Sequence, residues 1–283
     1  MSEKKQRKHN LSDTRPIVAG VVNIVVGLVI WIVLGGIFEL LFSRVLGVLP
    51  ESSGYPIVLA ALVVLLLYKF WYRPQFEGAL RGGRPELGLK LWIPILISWL
   101  TMPLVFMLTP AQFGWPTFIT IGTSLAAGFS EEAIFRSFGL STIMRKVKNE
   151  RDIIIGLVLT AVIFGVVHGF NIFSGANSGH TVLQIISAGF LGLFFGALYL
   201  RCGNLWPCIL VHAVNDIIAL TDVSNVTEVG IVVGSVSWLN YLDIVMCLII
   251  GIIGLWMIRA EKRPEIMEIW SKKWKTDPAP EMQ

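Results

Sequence analysis

Long apolar runs follow one another along this chain, separated by short polar stretches. Most are about 17 to 25 residues long, enough for a helix to cross a hydrocarbon core of about 30 Å. The pattern predicts eight spans, at 17–42, 56–72, 91–109, 117–144, 152–171, 181–200, 205–221 and 238–258. The first run is too long for a signal-peptide core and lacks a small-residue cleavage site, so it reads as a retained helix. The expected fold is an all-α polytopic membrane protein. It has a single helical domain over 17–258, a basic tail over 1–16 and a second tail over 259–283.

Composition supports that reading. The chain has 283 residues, of which 54% are hydrophobic and 15% charged, with a mean hydropathy of +0.71. A soluble globular domain carries more charge than this, and no segment stands out as a separate soluble unit. Nearly all of the 23 Lys and Arg residues lie in the two tails and in every second loop. By the positive-inside rule both termini are cytoplasmic. The net charge of +4 is then explained by basic loops facing anionic headgroups, with no nucleic-acid partner implied. Cys202, Cys208 and Cys247 show no CxxC spacing and imply neither a disulfide framework nor a cysteine metal site. Trp270 and Trp274 stand among lysines in the last tail, which predicts a short amphipathic helix lying on the membrane surface.

Against this background a few ionisable groups fall inside the predicted spans: Glu39, Glu131, Glu132, Arg136, His168, His212 and Asp216. A charge at a helix centre in lipid costs roughly 2.5–3.5 kcal/mol on insertion scales, so such groups are usually partnered and functional. Glu132 and Arg136 are four apart and share a helix face in the favourable order for an ion pair. Glu131 is turned about 100° away from Glu132 and has no cation on its own helix. Phe164 and His168 share a face in the fifth span, and His212 and Asp216 share one in the seventh. Glu39, with Asn23 and the Gly35–Gly36 pair, suits close packing of the first helix.

A carboxylate, two imidazoles and a second acid on three spans suit hydrolysis. Glu131 would accept a proton from a water that His168 positions, and His212 with Asp216 would stabilise an oxyanion. A zinc site on Glu131, His168 and His212, with one open position, is not separable from this by sequence. Counted at about 1.5 Å per residue from the basic loops, Glu131 lies roughly 20 Å deep, His168 about 24 Å and His212 about 10 Å. Straight helices would not align them, so tilts or kinks are expected.

The order EExxxR (Glu131 to Arg136), FxxxH (Phe164 to His168) and HxxxD (His212 to Asp216) resembles the CPBP family of CAAX-protease and bacteriocin-processing (Abi) membrane proteins. The resemblance covers about residues 91–225. It implies an intramembrane glutamic or metallo-endopeptidase with Glu131 as base, His168 at the water, His212 and Asp216 at the oxyanion, and Glu132, Arg136 and Phe164 in support. Many relatives carry Asn where this chain has Asp216. An ionised Asp216 would repel an oxyanion, so either it is protonated, or it orients His212 while Asn215 or another donor stabilises the oxyanion. The substrate expected is a peptide or membrane-anchored protein tail, in a bacterial plasma membrane. Two other classes compete: a proton-coupled transporter and a non-enzymatic bacteriocin-immunity protein.

Overall fold

The computed structural model describes residues 11–47, 55–71, 76–93, 95, 115–147, 149–220, 236 and 238–276. All regular elements among them are helical. They are α1 (Pro16–Leu40), which runs on as a π-helix over Leu41–Val45, then α2 (Tyr55–Trp71) and α3 (Pro85–Leu91). Helix α4 (Trp115–Glu132) changes to a π-helix over Ala133–Leu140 and ends in a last turn at Ser141–Ile143. Helix α5 (Glu150–Val167) tightens to a 3-10 helix over His168–Ser174, and α6 (Ser178–Cys202), α7 (Trp206–Leu220), α8 (Trp238–Met257) and α9 (Arg263–Trp274) follow, with short helical turns at Leu11–Thr14, Met144–Lys146 and Ala260–Lys262. The span expected at 91–109 lies almost wholly outside the described residues.

Local chemistry sets these boundaries. Pro16 occupies the first turn of α1, where its missing N–H costs nothing. Asn149 caps α5 by accepting from the Asp152 amide at 3.0 Å, and Asn177 caps α6 by accepting from His180 at 3.1 Å. At the far end of α6, Gly203 takes a left-handed φ of 62° and its amide closes on Tyr199 O.

Four described helical runs are long and apolar enough to cross a membrane: Pro16–Val45, Glu150–Phe173, Ser178–Cys202 and Asn240–Met257. The apolar stretch Pro56–Phe70 is shorter. Of the other expected spans, the run from Trp115 to Ile143 holds Glu131, Glu132 and Arg136, and α7 has only 15 residues. Hydropathy alone counted these as equals of the rest. Asp243 in α8 is a carboxylate that the apolar pattern hid, and the Cys247 thiol lies 3.7 Å from its Oδ1.

Small residues bring the helices close enough to build a site. A Cβ on Gly165 of α5 would sit 2.6 Å from Ile185 O of α6, and one on Gly192 of α6 would sit 3.1 Å from Ala161 Cα of α5. A Cβ on Gly128 of α4 would meet the Ala213 amide nitrogen of α7 at 3.0 Å. Backbone cannot yield there as a side-chain tip can. Gly128→Leu is therefore expected to force α4 from α7, costing about 1–3 kcal/mol by overpacking. Thermal melting in detergent should show the loss, and an unchanged melting temperature would count against the close contact.

The C-terminal helix differs from its expectation. Helix α9 is present, but Trp270 and Trp274 are each 1% exposed and are turned into the protein, not onto a membrane surface. Trp270 Nε1 donates to Leu200 O at 3.1 Å, and Trp274 Nε1 donates to Ser141 O at 2.8 Å. An indole buried in a bundle finds a carbonyl for its N–H, and the free carbonyls at the ends of α6 and α4 supply them.

Charges pin the same helix. Glu265 pairs with Arg201 at 2.8 Å and with Arg84, and Arg263 pairs with Glu150 at 3.0 Å. Burial alone would raise the Glu265 carboxyl, but Arg201 and then Arg84 outweigh it and hold the group below its ordinary 4.5. A depressed carboxylate adds stability that is present above pH 4.5 and is lost as pH falls through the folded value. Docking of α9 is expected to weaken on acidification below that point, read by Trp fluorescence. Glu265→Gln should remove most of that pH dependence.

Candidate active site

Helix α4 delivers Glu131 and Glu132 at its last turn, and the π-helical segment that follows delivers Arg136. π-helical turns within α-helices are rare and gather at functional sites. Glu132 and Arg136 are 0% and 2% exposed, with Oε1 and Nη1 3.0 Å apart, so the expected ion pair is present across the change of helix type. The guanidinium is held further by Gly192 O, 3.3 Å from Nη2, and by the ring of Phe164, whose centroid lies 4.4 Å from Cζ. Phe164 also meets both imidazoles edge-on, with centroids 5.0 Å from His168 and 5.8 Å from His212.

Glu132 does more than answer Arg136. The same oxygen lies 2.8 Å from His212 Nδ1. A buried carboxylate paired with a guanidinium only accepts, so the Nδ1–H of His212 donates to it. This fixes the ring and turns Nε2 toward Glu131 and Asp216. Phe195 stacks on the ring at 4.8 Å, with 22° between planes. Neither the link from Glu132 to His212 nor the roles of Phe195 and Gly192 emerged from the sequence. Phe195 sits in SAGFLGLFFGALYL, where an aromatic among small residues reads as packing.

His168 is fixed by its own helix. Its Nδ1–H donates to Phe164 O at 2.8 Å, leaving Nε2 with a lone pair. That nitrogen lies 4.0 Å from Glu131 Oε2. His212 Nε2 lies 3.7 Å from the same oxygen and 3.6 Å from Asp216 Oδ2. Asn215 precedes Asp216 on α7. Glu131, His168, His212 and Asp216 thus converge despite their unequal expected depths. Glu39 does not join them and is exposed near the end of α1.

Glu131 is the unusual member. Its side chain is 24% exposed, yet Oε2 is buried and has no hydrogen-bond partner among the described residues. A buried carboxylate oxygen left unpaired costs free energy unless something else meets it. The gaps to the two Nε2 atoms are too long for direct hydrogen bonds and suit a water between them.

The fit to zinc is poorer. Two ligands of one tetrahedral zinc, each about 2.0–2.1 Å from it, lie roughly 3.3 Å apart, less than the gaps from Glu131 to either histidine. Among the described residues no group of three His, Cys, Asp or Glu side chains is disposed to hold a metal ion. A separate open cavity of about 320 Å³, lined by Asp13, Arg15, Lys146 and Asp152, holds none of the converging groups.

Residues 113–218 match the family model described as type II CAAX prenyl endopeptidase Rce1-like. Over this segment the chain is similar to the CAAX proteases. The matched stretch runs from α4 to α7 and contains every converging group, while α1, α2, α3, α8 and α9 lie outside it. No curated protein and no solved structure matches the chain significantly. The CAAX family is one of membrane-embedded proteases, which accords with the apolar helices on either side of the match.

Proposed function

We propose that the chain is an intramembrane endopeptidase that hydrolyses a peptide bond in a peptide or membrane-anchored protein tail, with Glu131 as general base. The observation that carries this reading is the unpartnered, buried Oε2 of Glu131 facing two imidazole nitrogens across water-sized gaps. A water there donates one hydrogen to Glu131 and the other to the lone pair of His168 Nε2. As the water oxygen attacks the scissile carbonyl, Glu131 takes its proton, which contributes about 10²–10⁴-fold to the rate.

The carbonyl oxygen becomes an oxyanion, and His212 in its doubly protonated form donates Nε2–H to it. Glu132 makes this possible by holding Nδ1–H at 2.8 Å. Asp216 acts in its neutral form, since a second negative charge beside the oxyanion would oppose the reaction. The intermediate collapses when Glu131 returns its proton to the leaving nitrogen. The C–N bond breaks, giving an amine and a carboxylic acid, which loses its proton to Glu131 or to solvent and leaves as a carboxylate. No step runs through a metal.

The experiment is cleavage in proteoliposomes of quenched-fluorescence peptides, including a prenylated CAAX peptide, in oxygen-18-labelled water. Mass spectrometry should find a new carboxyl carrying one labelled oxygen per single turnover. If no peptide is cut and Glu131→Gln instead abolishes a solute flux across the same vesicles, the protein is a carrier and the reading fails.

A further inference from the structure

We infer that the C-terminal helix α9, acting with Tyr68, holds the π-helical segment in register and thereby aims the two glutamates, so that Trp274 is a positioning residue for the reaction. The inference rests on the peptidase reading for its consequence and on independent contacts for its geometry. It concerns a part of the chain that lies outside the CAAX family match.

The π-helical segment Ala133–Leu140 begins directly after Glu132. Its i→i+5 bonding departs from the α-helical ladder, and its carbonyls, each with two lone pairs, can take side-chain donors as well. The structure supplies them. Ser137 O accepts from the Ser141 hydroxyl. Phe138 O accepts from Thr142 Oγ1 at 2.8 Å and from Asn23 Nδ2 of α1 at 3.3 Å. Asn23 also donates to Thr142 Oγ1 at 2.9 Å. Tyr68 OH of α2 lies 2.5 Å from Ser141 Oγ and 3.2 Å from Thr142 Oγ1. The lower end of the segment is thus tied by side chains of two other helices.

Trp274 closes this network from outside the membrane-crossing helices. Its Nε1–H reaches Ser141 O at 2.8 Å, and its ring packs on Phe76 at 4.4 Å and edge-on to Tyr68 at 6.5 Å. Tyr68 in turn meets Phe138 of the π segment at 5.0 Å. The rest of α9 holds the ends of the other helices that carry the site. Arg263 pairs with Glu150 at the start of α5, which bears His168. Trp270 and Glu265 hold Leu200 O and Arg201 at the end of α6, which bears Phe195 and Gly192.

One helix therefore fixes the start of α5 and the ends of α4 and α6. If the π segment relaxed to α-helical bonding, everything below Arg136 would turn by about 100° per residue of lost offset relative to Glu131 and Glu132. Glu132 and Arg136 would keep their i,i+4 spacing, but the segment beyond them would turn away from Asn23, Tyr68 and Trp274, and the helix end that bears the two glutamates would shift against His168 and His212.

The test uses the full chain in detergent, with Trp274→Phe removing the indole N–H but keeping an aromatic ring, and Tyr68→Phe as a second variant. Amide hydrogen exchange is measured together with cleavage of a quenched-fluorescence prenylated CAAX peptide. In each variant, exchange over 133–143 is expected to quicken by about tenfold, the scale set by one lost buried hydrogen bond, while exchange in α8 is unchanged. In cleavage, kcat should fall by a similar factor with KM held within about twofold. Unchanged exchange over 133–143 in both variants overturns the inference. So does acceleration spread evenly over all helices with a fall in melting temperature, because that is general destabilisation. The exchange readout needs no turnover, so a failure of Glu131 as base would appear separately, as full cleavage by Glu131→Gln.

Discussion

Glu132→Leu should lower the thermal stability of the protein sharply and abolish cleavage, whereas Glu132→Leu combined with Arg136→Met should restore most of the stability, short of the cost of the unpaired His212 Nδ1–H, and leave cleavage absent. Glu132 and Arg136 are almost wholly buried and 3.0 Å apart. Removing one partner strands a guanidinium in a low-dielectric interior, a loss of about 3–5 kcal/mol for buried pairs. The rings of Phe164 and Phe195, 4.4 and 5.5 Å from the Arg136 carbon, offset only part of that. Replacing both charges by apolar side chains of similar volume is often neutral or stabilising.

Activity follows a different contact. With Glu132 gone, the Nδ1–H of His212 loses its acceptor, the ring is free to turn, and Nε2 no longer faces the oxyanion. Melting temperature and cleavage rate of the single and double variants, measured side by side, separate the two roles. Recovery of cleavage in the double variant would show that Glu132 only fixes helix register.

The helical wheel was enough to separate Glu131 from the Glu132–Arg136 pair, because i,i+4 spacing is a local property of the chain. It could not show that Glu132 also reaches His212, a contact between residues 80 positions apart. Nor does the string AIFRSFGL announce a π-helix, since composition does not distinguish i→i+5 from i→i+4 bonding. That segment, with the 3-10 turn that begins at His168, breaks the straight-helix geometry on which the unequal depths were counted. Phe195 and Gly192 were hidden by their setting, an apolar helix in which every residue resembles packing.

The tail was legible as a helix and misread as to its face. Tryptophans among lysines fit a membrane surface by composition, but two free helix-end carbonyls within the bundle take their N–H groups. Asp243 escaped notice for the opposite reason, as a single charge in a run whose other residues are strongly apolar. For the predicted span at 91–109 the described residues give almost no counterpart.

Glu131→Gln removes the proposed base and nothing else from the site. Glutamine keeps the length and the hydrogen-bonding capacity of the side chain but cannot take a proton from water. Its amide also relieves the unpartnered carboxylate oxygen, so the fold should be no less stable. The variant retains Arg136, Glu132 and both histidines in place, and substrate binding should persist with KM close to that of the parent. The rate of cleavage of the prenylated CAAX peptide in proteoliposomes is the most direct measurement. With Glu131 as the base, kcat is expected to fall by about 10²–10⁴-fold, the range for loss of a positioned base. Cleavage at the parental rate by a folded Glu131→Gln protein would contradict it.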